Sequence, residues 1–162
     1  MSVACISHIS GDLLGAQCVE AIVNPVNCVG VAGKGLAAQF KKAWPANYRA
    51  YVAACKRGEI VPGKCFVFET YETGVLPRFV INFPTKQYWK QPSRLDYIES
   101  GMVSLVAALH HYKLSSIAIP RLGCGLGRLN WNEVEPIVVR ALLSGCESFT
   151  HTPSIFVYLY VG

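Results

Sequence analysis

The chain has 162 residues, 52% of them hydrophobic, and its 15 Lys and Arg against 10 Asp and Glu give a formal net charge of +5 at pH 7. This length suits a single domain, residues 1–162, which can bury enough surface to fold without disulfides or structural metal ions. No apolar run reaches the roughly 18 residues that span a bilayer, and no secretory signal is recognisable, so we expect a cytoplasmic protein with no membrane partner.

The seven cysteines are odd in number, and no two of them form a Cys-x-x-Cys pair. This argues against a disulfide framework and against a zinc site. We therefore expect reduced, mostly buried cysteines and no bound metal. The basic excess favours phosphorylated or polyanionic partners without specifying which.

The first part of the chain predicts two short strands followed by two helices. The strands are residues 3–9 and 20–24, and the second ends before Pro25, which prevents easy helical continuation. Apolar residues recur at helical spacing from Leu36 to Trp44, and a second helix is predicted over Ala46–Lys56.

The rest of the chain continues the alternation of strands and helices. Residues 65–68 and 79–83 are strand-like and are candidates to pair as neighbours. The later elements are a helix over 94–111 capped by Ser93, a strand over 117–119, a helix to Leu143 opened by the capping box Asn130–Glu133, and a strand over 155–160.

This alternation predicts an α/β fold with three layers, α/β/α, around a mixed, mainly parallel sheet. Ligands of such sheets bind beyond the carboxyl ends of the strands. The strand exits at Asn24, Phe83 and Pro120 each lead into a loop of unusual composition. We expect these three loops to share one rim.

A glycine-rich segment, Gly123-Cys124-Gly125-Leu126-Gly127, lies between a strand and a helix. Glycines at alternate positions let backbone N–H groups approach a ligand, and the following helix N-terminus adds a positive dipole. The segment therefore predicts a phosphate site. Its spacing is not that of a dinucleotide fingerprint.

The loop from Asn24 to Gly35 places two carboxamides beside a second glycine-rich run. Asn24 and Asn27 suit ribose hydroxyls because carboxamides both donate and accept, while Gly33 and Gly35 allow a close backbone approach to a diphosphate. The alternative is that both asparagines only satisfy a turn. The spacing excludes a P-loop, because glycine follows Lys34.

Three stretches together resemble the macrodomain family: Gly11-Asp12-Leu13, Ile22-Val-Asn-Pro-Val-Asn27 with its glycines, and Ile119-Pro-Arg-Leu-Gly-Cys-Gly-Leu-Gly127. The resemblance runs nearly end to end. Residues 27–35, the segment Phe83-Pro-Thr-Lys86 and Leu129-Asn-Trp131 are most similar to the DarG-type branch, the antitoxins that remove ADP-ribose from DNA. Terminal ADP-ribose protein glycohydrolases are also similar.

The resemblance implies an ADP-ribose cleft that needs no cofactor. In it Asp12 would accept from the adenine amino group, Asn27 would meet the distal ribose, and residues 123–127 would hold the diphosphate. Tyr158 or Tyr160 would flank adenine, unless both belong to the core and Asp12 only caps a turn. The other residues implied to contact ADP-ribose are Leu13, Asn24, Gly33, Gly35, Leu36 and Thr85.

Lys86 is the candidate catalytic residue. A loop lysine taken alone is usually a solvated charge. By resemblance, lysine at this place attacks the anomeric carbon of the distal ribose, and a lysine whose pKa is depressed by burial and nearby cations can do so near pH 7. In the protein-directed relatives an aspartate helps to resolve the adduct, but here that position is Gly127.

The segment after Lys86 interleaves aromatic and basic residues: Tyr88, Trp89, Lys90 and Arg94. Such a combination binds single-stranded DNA by stacking and phosphate neutralisation. The alternative is that the two aromatic side chains anchor the loop to the body of the domain.

The resemblance thus implies a DNA ADP-ribosyl glycohydrolase that acts on a modified base, thymidine by resemblance, in single-stranded DNA. Its partner would be a DNA ADP-ribosyltransferase toxin. The alternatives are a protein mono-ADP-ribosyl hydrolase, an ADP-ribose phosphate phosphatase and a noncatalytic ADP-ribose reader.

Overall fold

A computed structural model of the chain describes residues 3–16, 18–71, 74–147 and 154–161. The strands are β1 (Ala4–Ile9), β2 (Ala21–Val26), β3 (Phe66–Glu69), β4 (Phe79–Pro84), β5 (Ser116–Ile119) and β6 (Ile155–Tyr160). The helices are α1 (Gly35–Ala43), α2 (Pro45–Lys56), α3 (Leu95–His111) and α4 (Trp131–Glu147), and a 3-10 helix spans Leu13–Gly15. Each predicted element is present, with ends that shift by a few residues at most.

The six strands form one sheet in the order β1-β6-β5-β2-β4-β3. Neighbouring strands run parallel except for β3, which pairs antiparallel with β4. Both the mixed, mainly parallel sheet and the pairing of the two strands around residues 65–83 are therefore confirmed.

Helices cover both faces of the sheet. Ile22 and Val80 pack with Phe40 of α1 on one face. Their chain neighbours Val23 and Ile81 pack on the other face, in the cluster that holds the buried sides of α3 and α4. This alternation follows from the period of two along a strand, and it confirms the three-layer architecture. None of the described helices is long and apolar enough to cross a membrane.

The start of α3 differs from the prediction. Arg94, not Ser93, is the residue that precedes the helix, and no side chain caps it. Ser93 is buried, and its backbone N–H instead donates to the Gly127 carbonyl at 2.9 Å. The serine is packed beneath the glycine-rich segment, so it is not available to the helix. The asparagine cap predicted for α4 is confirmed, because Asn130 Oδ1 accepts from the Asn132 N–H at 3.0 Å. The return bond from the Glu133 side chain, which would complete the predicted capping box, is not among the hydrogen bonds of the described residues.

The cysteines are free, as expected, but they are not mostly buried. Cys146 is buried within the core, while Cys5 and Cys18 are exposed and the other four are half-buried. Cys5 is exposed because it lies on β1, an edge strand of which only Ala4 is buried.

Candidate functional site

Three loops meet at the carboxyl edge of the sheet. Strands β5, β2 and β4 are adjacent and parallel, so the chain leaves all three on the same side. We call the segments that follow them the glycine loop (120–130), the first loop (27–34) and the lysine loop (85–94). The common rim predicted from the sequence is confirmed.

Asn27 organises the first loop. Its Oδ1 accepts from the backbone N–H groups of Val29 and Val31 at 3.1 and 3.2 Å, and its Nδ2 donates to the Val31 carbonyl at 2.7 Å. The hydroxyl of Tyr51 lies 2.7 Å from the Asn27 carbonyl oxygen and 2.9 Å from Oδ1. Asn27 therefore does satisfy a turn, yet its second amide hydrogen is not used by any of these bonds.

Asn24 belongs to a buried polar network behind the cleft. Its Nδ2 donates to Asn82 Oδ1 at 3.1 Å, and Asn82 exchanges hydrogen bonds with Asn47 of α2 at 2.8 and 3.2 Å. The Asn24 Oδ1 is buried and has no hydrogen-bond partner among the described residues. The network ties β2 and β4 to α2.

Helix α1 begins directly after the first loop and has no side-chain cap, so no cap satisfies its first N–H groups. Gly35 has a positive φ of 63°, which favours glycine. A Cβ on Gly35 would lie 3.1 Å from the Leu126 side chain, so the glycine loop reaches across to this helix. Gly33 is exposed at the rim, while Leu36 packs into the core below it.

The glycine loop is folded by its own backbone. Leu129 N–H donates to the Gly123 carbonyl at 2.8 Å, and Arg128 N–H donates to that of Gly125 at 3.1 Å. Within the described part of the chain, the N–H groups of Gly125, Leu126 and Gly127 have no backbone acceptor. Three neighbouring free donors beside a helix N-terminus can bind an anion. The half-buried Cys124 packs against the main core, and burial raises the pKa of its thiol.

Gly127 has no room for a side chain. A Cβ there would lie 2.2 Å from Ser93 Oγ and 2.4 Å from the Gly123 carbonyl oxygen. Since one of these neighbours is backbone, no rotamer change relieves the contact. The space around this residue therefore excludes an aspartate at the position where the resemblance places one in protein-directed relatives.

Lys86 lies at the junction of the lysine and glycine loops. Its Nζ is 3.4 Å from the carbonyl oxygens of both Trp89 and Leu126. Burial lowers the pKa of Lys86, and the positive charge of Arg128 lowers it further. Both effects increase the fraction of neutral amine, which is the nucleophilic form.

The end of β2 and the first loop hold the backbone around Lys86. Thr85 N–H donates to the Val26 carbonyl at 3.0 Å, and Cys28 N–H donates to that of Gln87 at 3.0 Å. The Cys28 thiol, whose pKa burial raises to about 11, lies 3.5 Å from the Lys86 carbonyl oxygen. The thiol is thus neutral and positions the lysine backbone.

Asp12 and the tyrosines of β6 lie together at the other end of the rim. Asp12 caps the 3-10 helix by accepting from the Leu14 N–H at 3.0 Å, as the alternative interpretation held. Leu13, Tyr158 and Tyr160 share one hydrophobic cluster, but both tyrosines remain only partly buried. Burial raises the pKa of Tyr160, and nearby Cys18, Asp12 and Tyr158 add to the shift. The structure thus brings together the residues that were predicted to surround adenine, and their contact with adenine stays a prediction.

The aromatic side chains of the lysine loop are accessible. Tyr88 and Trp89 are 42% and 44% exposed, with ring centroids 5.9 Å apart, and Lys90 Nζ lies 5.0 Å from the Trp89 ring. Arg94 differs, because its guanidinium is bound to the Asp96 carboxylate at 2.9 and 3.0 Å. Arg94 therefore shares its charge with a neighbouring exposed carboxylate, and its contact with DNA stays a prediction.

Sequence reasoning missed the residues that support the site from behind. Tyr51, Cys28 and Ser93 position the first loop, the Lys86 backbone and the glycine loop respectively. Tyr51 sits at an apolar position of an amphipathic helix, where it is indistinguishable from a core residue. The described residues contain no group of three or more metal-ligating side chains.

Comparison with known proteins identifies the family. Residues 23–138 match the model of the Macro domain family. The DNA ADP-ribosyl glycohydrolase of Thermus aquaticus is 48% identical over 149 residues, which cover 90% of this chain and 40% of that protein. A DNA ADP-ribosyl transferase-DNA ADP-ribosyl glycohydrolase fusion protein of Thermosipho africanus is 33% identical over 153 residues, covering 85% of this chain and 39% of the fusion. The chain spans about two fifths of the length of these relatives.

Solved structures agree with these matches. The macrodomain of Thermus aquaticus DarG superposes with a TM-score of 0.87 at 43% identity, covering 98% of this chain and 99% of that one. Thermosipho africanus DarTG in complex with ADP-ribose superposes with a TM-score of 0.81 at 32% identity, covering 96% of this chain and 42% of the other.

Proposed function

Because the chain belongs to the macrodomain family, we propose that it binds ADP-ribose and hydrolyses its linkage to a modified DNA base, thymidine in particular. The observation that carries this proposal is Lys86, a partly buried amine of lowered pKa at the junction of two cleft loops. The names of its relatives, DNA ADP-ribosyl glycohydrolases, support the same activity.

The cleft divides the ligand between its loops. The free N–H groups of Gly125 to Gly127 and the uncapped start of α1 hold the diphosphate. The remaining amide hydrogen of Asn27 donates to the distal ribose, and Asp12 with Tyr158 receives adenine at the far end. Binding of this remote diphosphate places the anomeric carbon near Lys86.

The chemistry follows from the neutral amine. Lys86 Nζ attacks the anomeric carbon of the distal ribose, the bond to the base breaks, and the base nitrogen leaves with the electron pair and takes the amine proton. The adduct opens to an imine. One water then adds to the imine, the amine is expelled, and ADP-ribose is released.

A thymine leaving group is compatible with a site that has no general acid. In thymidine, the ring nitrogen that is free to carry ADP-ribose lies between two carbonyl groups, which stabilise the electron pair that it receives. Such a base can leave without a strong general acid. This fits a site in which Gly127 has no space for an acidic side chain and the charged neighbour of Lys86 is the cation Arg128.

The lysine loop offers the matching surface for single-stranded DNA. Tyr88 and Trp89 present partly exposed rings within four residues of Lys86, and Lys90 adds a cation beside them. Stacking and phosphate contact at this loop would deliver the modified nucleotide to the cleft. The fusion of transferase and glycohydrolase in a relative supports pairing with a DNA ADP-ribosyltransferase toxin.

The test compares the wild type, Lys86→Ala and the control Lys113→Ala, an exposed lysine at the opposite edge of the sheet. Each is incubated with an ADP-ribosylated thymidine oligonucleotide, and ADP-ribose release is followed. The wild type and the control should release it, and cyanoborohydride should trap the imine as a mass increase on Lys86. Lys86→Ala should neither release ADP-ribose nor gain this mass.

Each alternative predicts a different result. Absence of release from the oligonucleotide by the wild type would refute the proposed function. Release only from protein modified on glutamate would favour the protein-directed hydrolase, and release of inorganic phosphate from ADP-ribose phosphate would favour a phosphatase. Tight ADP-ribose binding without turnover would favour a reader. Wild-type turnover by Lys86→Ala would refute the mechanism.

A further inference from the structure

The two helical layers carry opposite formal charge. Helices α1 and α2 contain four basic and no acidic side chains, a charge of +4. Helices α3 and α4 contain five acidic side chains against one arginine, a charge of −4. The net charge of the chain therefore hides an asymmetry, and one face of the domain is strongly basic.

We call this surface the basic helix face. It consists of Lys34, which directly precedes α1, and of Lys41, Lys42, Arg49 and Lys56. All five side chains are exposed, and none forms an ion pair with a described residue. The sequence has no carboxylate between Glu20 and Glu59. These cations are thus available to an external anion.

The spacing of the cations suits an extended ligand better than a single phosphate. Arg49 and Lys56 are seven residues apart, so they lie on one side of α2 with a separation of about 10 Å along its axis. Lys41 Nζ lies 4.5 Å from the ring centroid of Tyr48, which brings the end of α1 beside the start of α2. Lys41 thus lies beside the residue that precedes Arg49, so the basic helix face extends from α1 onto α2.

Contacts connect the basic helix face with the cleft. The Tyr48 hydroxyl donates to the Gly30 carbonyl of the first loop at 3.1 Å. At the start of α1, Lys34 adjoins Gly35, against which Leu126 packs, and Leu126 in turn supplies a carbonyl oxygen near Lys86 Nζ. Trp89 supplies the second carbonyl near Nζ. Lys86 therefore lies between the aromatic residues of the lysine loop and the start of the basic helix face.

We propose that the basic helix face binds the phosphates of the DNA strand on one side of the modified nucleotide, while Tyr88 and Trp89 contact the strand on the other side. This inference rests on the proposed function and extends it to a second, separate strand-binding surface. It explains why the cations are unpaired and why the charge is confined to the layer that adjoins the first loop. The interaction is with the backbone, so it carries no base preference.

The test uses two double variants with the same loss of charge. Lys41→Gln with Arg49→Gln removes two cations from the basic helix face, whereas Lys113→Gln with Arg140→Gln removes two exposed cations from elsewhere. Affinity for an unmodified fluorescent oligonucleotide of about 20 nucleotides is measured by anisotropy at several salt concentrations. ADP-ribose release is measured from a modified oligonucleotide of the same length and from the modified nucleoside.

Each single-strand phosphate contact contributes about 0.7 to the slope of log affinity against log salt, so the first variant should lose about 1.4. When salt rises from roughly 50 to 200 mM, the factor by which DNA affinity falls should be about seven times smaller for this variant than for the wild type. It should hydrolyse the modified nucleoside at the wild-type rate and the long oligonucleotide more slowly at low substrate. The control variant should match the wild type throughout.

Equal slopes for the wild type and the Lys41, Arg49 variant would overturn the inference, as would an equal loss in the Lys113, Arg140 variant. These outcomes leave the proposed function intact, since hydrolysis continues. Failure of the proposed function has a separate signature: no ADP-ribose is released from any oligonucleotide by the wild type.

Discussion

Substitution of Gly127 by alanine should distort the glycine loop. The added Cβ would lie 2.2 Å from Ser93 Oγ, 2.4 Å from the Gly123 carbonyl oxygen and 2.9 Å from its carbon. The serine hydroxyl can rotate away, but the carbonyl is fixed by its hydrogen bond from the Leu129 N–H at 2.8 Å. The loop backbone must therefore move.

Overpacking of this kind costs about 2 kcal/mol. In a domain of this size that corresponds to a fall of about 4–8 °C in Tm. The movement also displaces the N–H groups proposed to hold the diphosphate, so ADP-ribose affinity should fall at least about tenfold. Thermal unfolding and calorimetric titration with ADP-ribose measure the two effects.

Gly125→Ala is the matched control for stability. It is the same substitution in the same loop, neither glycine has a positive φ, and a Cβ on Gly125 would meet nothing within 4 Å. Its Tm should equal or slightly exceed that of the wild type, because alanine restricts the unfolded chain. A Gly127→Ala variant with wild-type Tm and wild-type ADP-ribose affinity would refute the claim that space alone excludes a side chain here.

Three further outcomes are expected. Arg128→Gln should raise the pKa of Lys86, because the amine then loses a neighbouring positive charge, and the rise of single-turnover rate with pH should move to higher pH; an unchanged profile would contradict this. Tyr51→Phe removes the hydroxyl that binds Asn27, so ADP-ribose affinity should fall by about 1–2 kcal/mol in calorimetric titration, with little change in kcat; a fall in kcat alone would contradict it. Asn82→Ala leaves its buried asparagine partners without hydrogen bonds, so the free energy of unfolding should drop by about 2–4 kcal/mol in urea denaturation, and a loss below about 0.5 kcal/mol would show that water replaces the network.

The sequence predicts the fold well because local signals and global architecture agree here. Buried strands such as Phe79–Pro84 are largely apolar, with Asn82 as the one polar residue of that strand, and Pro45 marks a helix start as well as the end of the preceding helix. The parallel strand order then brings the loops after β2, β4 and β5 to one edge. The placement of Lys86 and Asn27 at this edge of the sheet follows from the strand order alone.

The support of the site could not be predicted, because it depends on contacts between distant parts of the chain. Ser93 reads as a helix cap from its neighbours, but its place is set by Gly127, 34 residues further on. Tyr51 reads as core, and only the fold reveals that its hydroxyl reaches Asn27. For Asp12 the local and the long-range interpretation hold together, because it caps the 3-10 helix and also lies near Tyr160.

Ser93 also connects the two loops that the proposed reaction requires. The lysine loop carries Lys86 near its start and Ser93 near its end, and the Ser93 N–H donates to the Gly127 carbonyl at 2.9 Å. The segment that carries Tyr88 and Trp89 is thus attached at both ends to the cleft, at the nucleophile and at the proposed diphosphate site. The positions of these rings and of the proposed diphosphate site therefore depend on one shared hydrogen bond.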